Sequence, residues 1–168
     1  KSEKDSSSEY DLEKLLKYYE DKEFTEAETL ASKINIKYPD NVFVLKVLAS
    51  IFKSTGRLLE SIDFNKRAIE LSPNDFEAHG NLANTLRRMG RLREAEKSYR
   101  YAIFVNPEFA EAYSNLGITL RDLDRLEEAE INCKAAVRIK PRLDFAHSNL
   151  GMIYHFQGKL EEAESCYL

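Results

Sequence analysis

Apolar side chains recur along this chain at intervals of three and four residues. Tyr113, Leu116, Gly117 and Leu120 form one such run, and Ala129, Cys133, Ala136 and Val137 form the next. That period places them on one face of an α-helix, whereas a half-buried strand alternates at every second residue. Paired runs of this kind follow one another along nearly the whole sequence and predict an all-α protein. Residues 1–9 are the exception, being charged and serine-rich without one apolar side chain. With nothing to bury they cannot offset the entropy of being ordered, which predicts a disordered tail or linker.

Helix breakers divide the apolar runs at a fixed interval. All four prolines, Pro39, Pro73, Pro107 and Pro141, are 34 residues apart. Proline cannot continue a helix and biases the residue before it away from helical angles, so each marks the same boundary. Half-way between them stand Gly56-Arg57-Leu58, Gly90-Arg91-Leu92, Asp124-Arg125-Leu126 and Gly158-Lys159-Leu160. Glycine closes a helix at positive φ at little cost, and aspartate tolerates the same conformation. A period of this length means stacked units, each a helix, a tight turn, a second helix and a proline-containing turn. The boundaries are a divergent unit at 10–41, regular units at 42–75, 76–109 and 110–143, and an incomplete one at 144–168. Small residues recur where the paired helices meet, among them Ala83, Gly117, Ala95, Ala129, Ala102 and Ala136. They let helix axes approach closely.

Residues 110–143 resemble a tetratricopeptide repeat through Tyr113, Leu116-Gly117, Leu120, Ala129, Ala136 and Pro141, and residues 76–109 through Leu82-Ala83, Ala95, Tyr99, Ala102 and Pro107. Residues 42–75 depart from the pattern at Ser61 and Asn65, and 8–41 at Lys14 and Ile34. The resemblance implies a right-handed superhelical solenoid of antiparallel helix-turn-helix repeats, whose first helices line a concave groove and whose second helices lie outside. The last unit stops before its late alanine and proline, which leads to the expectation of a fragment of a longer array.

Composition narrows the function. The chain has 168 residues, 43% apolar and 32% charged, enough for a substantial core. No stretch approaches the roughly 18 apolar residues of a membrane span, and neither a signal-peptide core nor a transmembrane role is indicated. The net charge of −4 is uneven: Lys and Arg against Asp and Glu count 7 to 11 over residues 1–41, 6 to 4 over 76–109 and 1 to 4 over 144–168. A nucleic-acid binder needs a sustained basic face, so no nucleic-acid partner is expected. Cys133 and Cys166 are too few for a disulfide framework, no metal-ligand spacing occurs, and no cofactor is implied. A cytoplasmic location is the default for such a chain. Phosphate loops and nucleophile motifs are also absent, so the chain is not expected to be an enzyme. His79 and His147 share a packing position with Leu45 and Tyr113, His155 is expected nearer the groove, and Cys133 stands where Tyr99 stands one unit earlier, as a buried filler.

The groove then carries the function. The sixth position of successive units holds Val47, Asn81, Asn115 and Asn149. A carboxamide has both a donor and an acceptor, and can hold the backbone of an extended peptide whatever its sequence. This series is similar to the asparagine ladder of the repeat arm of protein O-GlcNAc transferases, which implies a grip on substrate backbone. The alternative is that the amides tie neighbouring repeats together. Lys46, Lys53, Asn84, Arg87, Arg88 and Arg121 extend the predicted face and favour an acidic ligand segment, unless they only complement helix ends. Phe145, Met152 and Phe156 predict an apolar contact surface, for a ligand, a further repeat or self-association. Glu111 stands where a lysine is needed for a chaperone-type carboxylate clamp, which excludes the full clamp. The expected function is a protein-protein interaction scaffold binding an extended peptide or partner protein; the other class is the substrate-recognition arm of a larger enzyme such as a protein glycosyltransferase.

Overall fold

The computed structural model describes the backbone of residues 3–166 and the side chains of residues 9–166. Among these the secondary structure is helical throughout: α1 (Glu3–Glu20), α2 (Phe24–Lys37), α3 (Val42–Ser54), α4 (Leu58–Leu71), α5 (Phe76–Arg88), α6 (Leu92–Val105), α7 (Ala110–Asp122), α8 (Leu126–Ile139), α9 (Asp144–Phe156) and α10 (Leu160–Ser165). The regular units begin at the helix starts Val42, Phe76, Ala110 and Asp144, and every proline falls two residues beyond a helix end.

The turns inside the hairpins are one motif repeated. Gly56, Gly90 and Gly158 have φ of 84°, 74° and 74°, and Asp124 and Lys22 reach the same region at 61°. In each case the next residue donates its N–H back across the turn: Glu23 to Tyr18, Arg57 to Phe52, Arg91 to Leu86, Arg125 to Leu120 and Lys159 to Tyr154, at 2.8–2.9 Å. This is the Schellman closure, which satisfies carbonyls left open at a helix end. Lys22 falls 34 residues before Gly56 and extends the series into the divergent first unit. A non-glycine residue there carries a cost of about 1 kcal/mol.

Helix α1 begins at Glu3, so residues 3–9 are helical where a disordered tail is expected; Lys1 and Ser2 lie outside the described residues. Once a helix is nucleated, each added residue gains a hydrogen bond for little further ordering, and Glu, Lys and Ser permit this without an apolar face.

The chain divides into two compact units, the first ending at Pro73 and the second starting at Asn74. In the first, α2 packs on α1 and α3, and α3 on α4. Its core joins Leu15, Ala27, Ala31 and Ile34 to Val44, Leu48, Ile51 and Phe52. In the second, each hairpin packs on the next, and α7 also touches α5 and α9. Here side-chain size decides how closely helices meet. A Cβ on Gly117 would collide with the Cys133 sulfur and come within 3.1 Å of the Ala129 carbonyl, so glycine allows α7 and α8 to close. Phe109, at the start of α7, lies edge-on to Phe76 and against Gly80, linking consecutive repeats at their entrances.

Candidate functional site

In the second unit the sequence-predicted residues lie on the first helix of each hairpin: Asn81, Asn84, Arg87 and Arg88 on α5, Asn115 and Arg121 on α7, and Phe145, Asn149, Met152 and Phe156 on α9. On α5 and on α9 they are three or four residues apart or adjacent to one that is, so they share a face of that helix, whereas Asn115 and Arg121 on α7 are six residues apart. Lys46 and Lys53 belong to the first unit, both half-buried on α3.

The asparagine donors reach across repeats. Asn115 Nδ2 donates to Asn84 Oδ1 at 3.1 Å, and Asn149 Nδ2 donates to Ser114 Oγ at 2.9 Å. Asn84 Oδ1 also accepts the Tyr99 hydroxyl at 2.6 Å, which ties the base of α5 to α6 and to α7. All three asparagines of the series are half-buried. The carboxamides of Asn115 and Asn149 therefore do what the tying alternative requires, each with one N–H spent between repeats and its acceptor oxygen not used in these bonds. Two of the participants, Tyr99 and Ser114, are fully buried and belong to the packing pattern rather than to the predicted face. The hydroxyl on Tyr99 is visible in the sequence, but its destination depends on which helix stands opposite.

The arginines differ from one another. Arg121 donates to Asp122 Oδ1 from Nε at 3.0 Å and from Nη2 at 2.6 Å. Its guanidinium also contacts the Met152 sulfur and lies 5.4 Å from the centre of the Phe156 ring. Its charge is thus met within the protein, and it joins Met152 and Phe156 into one cluster. Phe156 remains 60% exposed, so this cluster presents apolar surface to solvent. Phe145 is exposed as well. Arg87 stands beside Tyr99, whose hydroxyl is pushed up to about 12 by burial, with the Arg87 charge opposing that rise. The Arg87 Nε is enclosed and has no hydrogen-bond partner. Arg88, Lys46 and Lys53 each have partners of their own.

Glu111 is bound by Lys140 at 2.8 Å. Partial burial works to raise its pKa, but that bond and its backbone hydrogen bond outweigh burial and hold it below the usual carboxylate range. His79 stacks at 4.3 Å on Tyr101, His147 Nε2 lies 2.9 Å from the Pro141 carbonyl, and His155 is exposed beside Phe156. Cys133 is fully buried and its thiol is pushed up to about 12 by that burial, which removes it from thiolate chemistry. Among the described residues no group of His, Cys, Asp and Glu is arranged to hold a metal, and no helix is long and apolar enough to cross a membrane.

Family models described as tetratricopeptide repeat match residues 64–97, 81–143 and 146–168. No curated protein matches the chain. Among solved structures, a thermophilic repeat protein from Thermus thermophilus, TTC0263, has a TM-score of 0.83 at 21% identity, covering 95% of this chain and 88% of its own. PilF of Pseudomonas aeruginosa gives 0.87 at 15% identity, covering 99% and 76%, and MamA gives 0.77 at 23%, covering 90% and 88%. At these identities the likeness is one of fold.

Proposed function

The chain is built of tetratricopeptide repeats, and on that premise we propose that it is an interaction scaffold whose asparagine-lined helix face holds the backbone of an extended peptide. The observation that carries this reading is the placement of Asn81, Asn115 and Asn149 at one position of three successive repeats, half-exposed on the first helices. The inter-repeat bonds fix the orientation of Asn115 and Asn149 through one N–H each and leave their oxygens unused in those bonds. An oriented carboxamide accepts a peptide N–H with less ordering cost than a free one. The exposed apolar cluster on α9 and the arginines on α5 supply side-chain contacts along the same helix set.

The test separates the gripping role from the tying role. Peptides are selected from a random twelve-residue display library on the wild-type chain, and their affinities are then measured for the Asn81→Ala, Asn115→Ala, Asn149→Ala triple variant. Affinity is expected to fall at least tenfold, with a modest loss of melting temperature from the two severed bonds. Ser114→Ala is the control, since it removes the acceptor behind Asn149 without touching the exposed face. It should lower the melting temperature and, because it frees only the Asn149 carboxamide, weaken binding far less than the triple variant does. A triple variant that binds as well as wild type would sink the reading.

A further inference from the structure

The second unit contains, among its described residues, one arginine with an enclosed donor that is not met. Arg87 and Arg121 occupy the same repeat position, 34 residues apart. Arg121 has the Asp122 carboxylate on two of its nitrogens, the Met152 sulfur beside it and the Phe156 ring over its face. The residue after Arg87 is Arg88 rather than an acid, and among the described residues no carboxylate lies within ion-pair distance of Arg87. Asp122, the nearest acid by repeat position on α7, is held by Arg121. The Arg87 Nε is enclosed without an acceptor, while the guanidinium faces the oxygen of the Tyr99 hydroxyl, whose proton goes to Asn84. An enclosed donor left unmade is unfavourable, more so on a charged group, and a planar guanidinium is shaped for a carboxylate. Along the same set of helices the next feature is apolar, with Met152 and Phe156 held together by Arg121 and exposed.

The geometry points to a two-point reader: Arg87 takes an acidic side chain of the bound peptide, and the Met152–Phe156 cluster takes a large apolar side chain further along it, with Arg121 serving as scaffold between them. This rests on the peptide-holding reading above and adds the ligand's sequence to it. The two points are separated by the steps from α5 to α7 and from α7 to α9, pairs of helices in contact. At roughly 8–10 Å per step the span is about 16–20 Å. An extended chain rises about 3.3 Å per residue, so the acidic and apolar residues should stand about five or six positions apart.

The same display library provides the probe, selected in parallel on wild type, Arg87→Met, Arg121→Met and Phe156→Ser, each first checked for an unchanged helical spectrum and cooperative melting. Wild-type selectants should carry an Asp or Glu and a large apolar residue at the stated separation. Arg87→Met should abolish the acidic preference and weaken the wild-type selectants at least tenfold at low salt, while keeping the apolar one. Phe156→Ser should do the reverse, and Arg121→Met should keep the acidic preference. An acidic preference that survives Arg87→Met, or is lost with Arg121→Met, overturns the assignment. So does an apolar preference indifferent to Phe156, or a Phe156→Ser change seen only in self-association by sedimentation. Binders with neither preference overturn the two-point reader and leave the backbone grip standing; no binders at all overturn both.

Discussion

Asn65 on α4 and Cys133 on α8 stand at the same position of their hairpins, 68 residues apart, and both are buried. Asn65 Nδ2 donates to the Ser61 carbonyl one turn earlier at 2.9 Å, and its Oδ1 has no partner. Cys133 packs against Gly117 and directs its thiol toward the Ser114 carbonyl at 3.9 Å. The neighbouring position is inverted in turn. Ile62 is buried on α4, whereas Glu130 on α8 binds Lys134 at 2.6 Å and Lys159 at 2.8 Å. So α3–α4 encloses an amide and has an apolar residue where α7–α8 has a charge. The backbone is the same in both because the breakers and the small residues Ala68 and Ala136 set it. What differs is how well each hairpin is held.

Gly117 tests that claim with the largest expected effect. Alanine favours a helix over glycine by about 1 kcal/mol, so on propensity alone Gly117→Ala would stabilise α7. The added carbon meets the Cys133 sulfur and the Ala129 backbone, and overpacking of this kind costs about 1–3 kcal/mol, more where backbone must move. The expected net loss is about 1–2 kcal/mol, read from urea unfolding. Placing Gly117→Ala in a Cys133→Ala background should recover most of it, because the sulfur is then gone. A Gly117→Ala variant as stable as wild type would mean that helix approach in α7–α8 is not set by this contact.

Asn65→Cys is the next largest change and transplants the α8 residue into α4. The two side chains are close in volume, and the substitution removes an enclosed carbonyl that has no donor. An unmet buried acceptor costs about 1–3 kcal/mol, partly offset here by the bond to Ser61 that is lost with it. The expected result is a gain of about 1 kcal/mol and a higher melting temperature. A loss instead would show that the bond to Ser61 outweighs the orphaned oxygen, and would reverse the ranking of the two hairpins.

These differences mark what a single chain of letters conveys. The repeat register is legible because proline and glycine act on their own backbone, so Pro73 or Gly90 announces a turn without reference to anything else. Lys22 makes the same turn with the same closure, but lysine carries no such signal and its place emerges only from the 34-residue count. The asparagine series is legible as a periodicity. Its bonds are not, because Asn115 and Asn149 reach residues on the preceding repeat, Asn84 and Ser114, whose distance is fixed by helix packing. The contrast between Arg87 and Arg121 is half legible: Asp122 stands next to Arg121 in the sequence, while the enclosure of the Arg87 Nε exists only in the folded chain.

The smallest expected effect concerns Glu130, the charge that α4 lacks. Its pKa is brought down to about 2, first by the hydrogen bond from Lys134 and then by that from Lys159 on the following repeat, with burial opposing them. A carboxylate whose folded pKa lies below its unfolded value contributes stability that is complete above the unfolded pKa and is lost as pH falls toward the folded one. The window for Glu130 therefore runs from about 4.5 down to about 2. Lys134 and Lys159 are 54% and 41% exposed, so solvent screens both pairs and the contribution at neutral pH is about 0.5–1 kcal/mol. Glu130→Gln keeps the shape and removes the charge. Its stability deficit relative to wild type should be present at pH 7, shrink across that window, and diminish in high salt. A deficit that stays constant down to pH 2 would assign the role of Glu130 to packing, and its charge would then not distinguish α8 from α4.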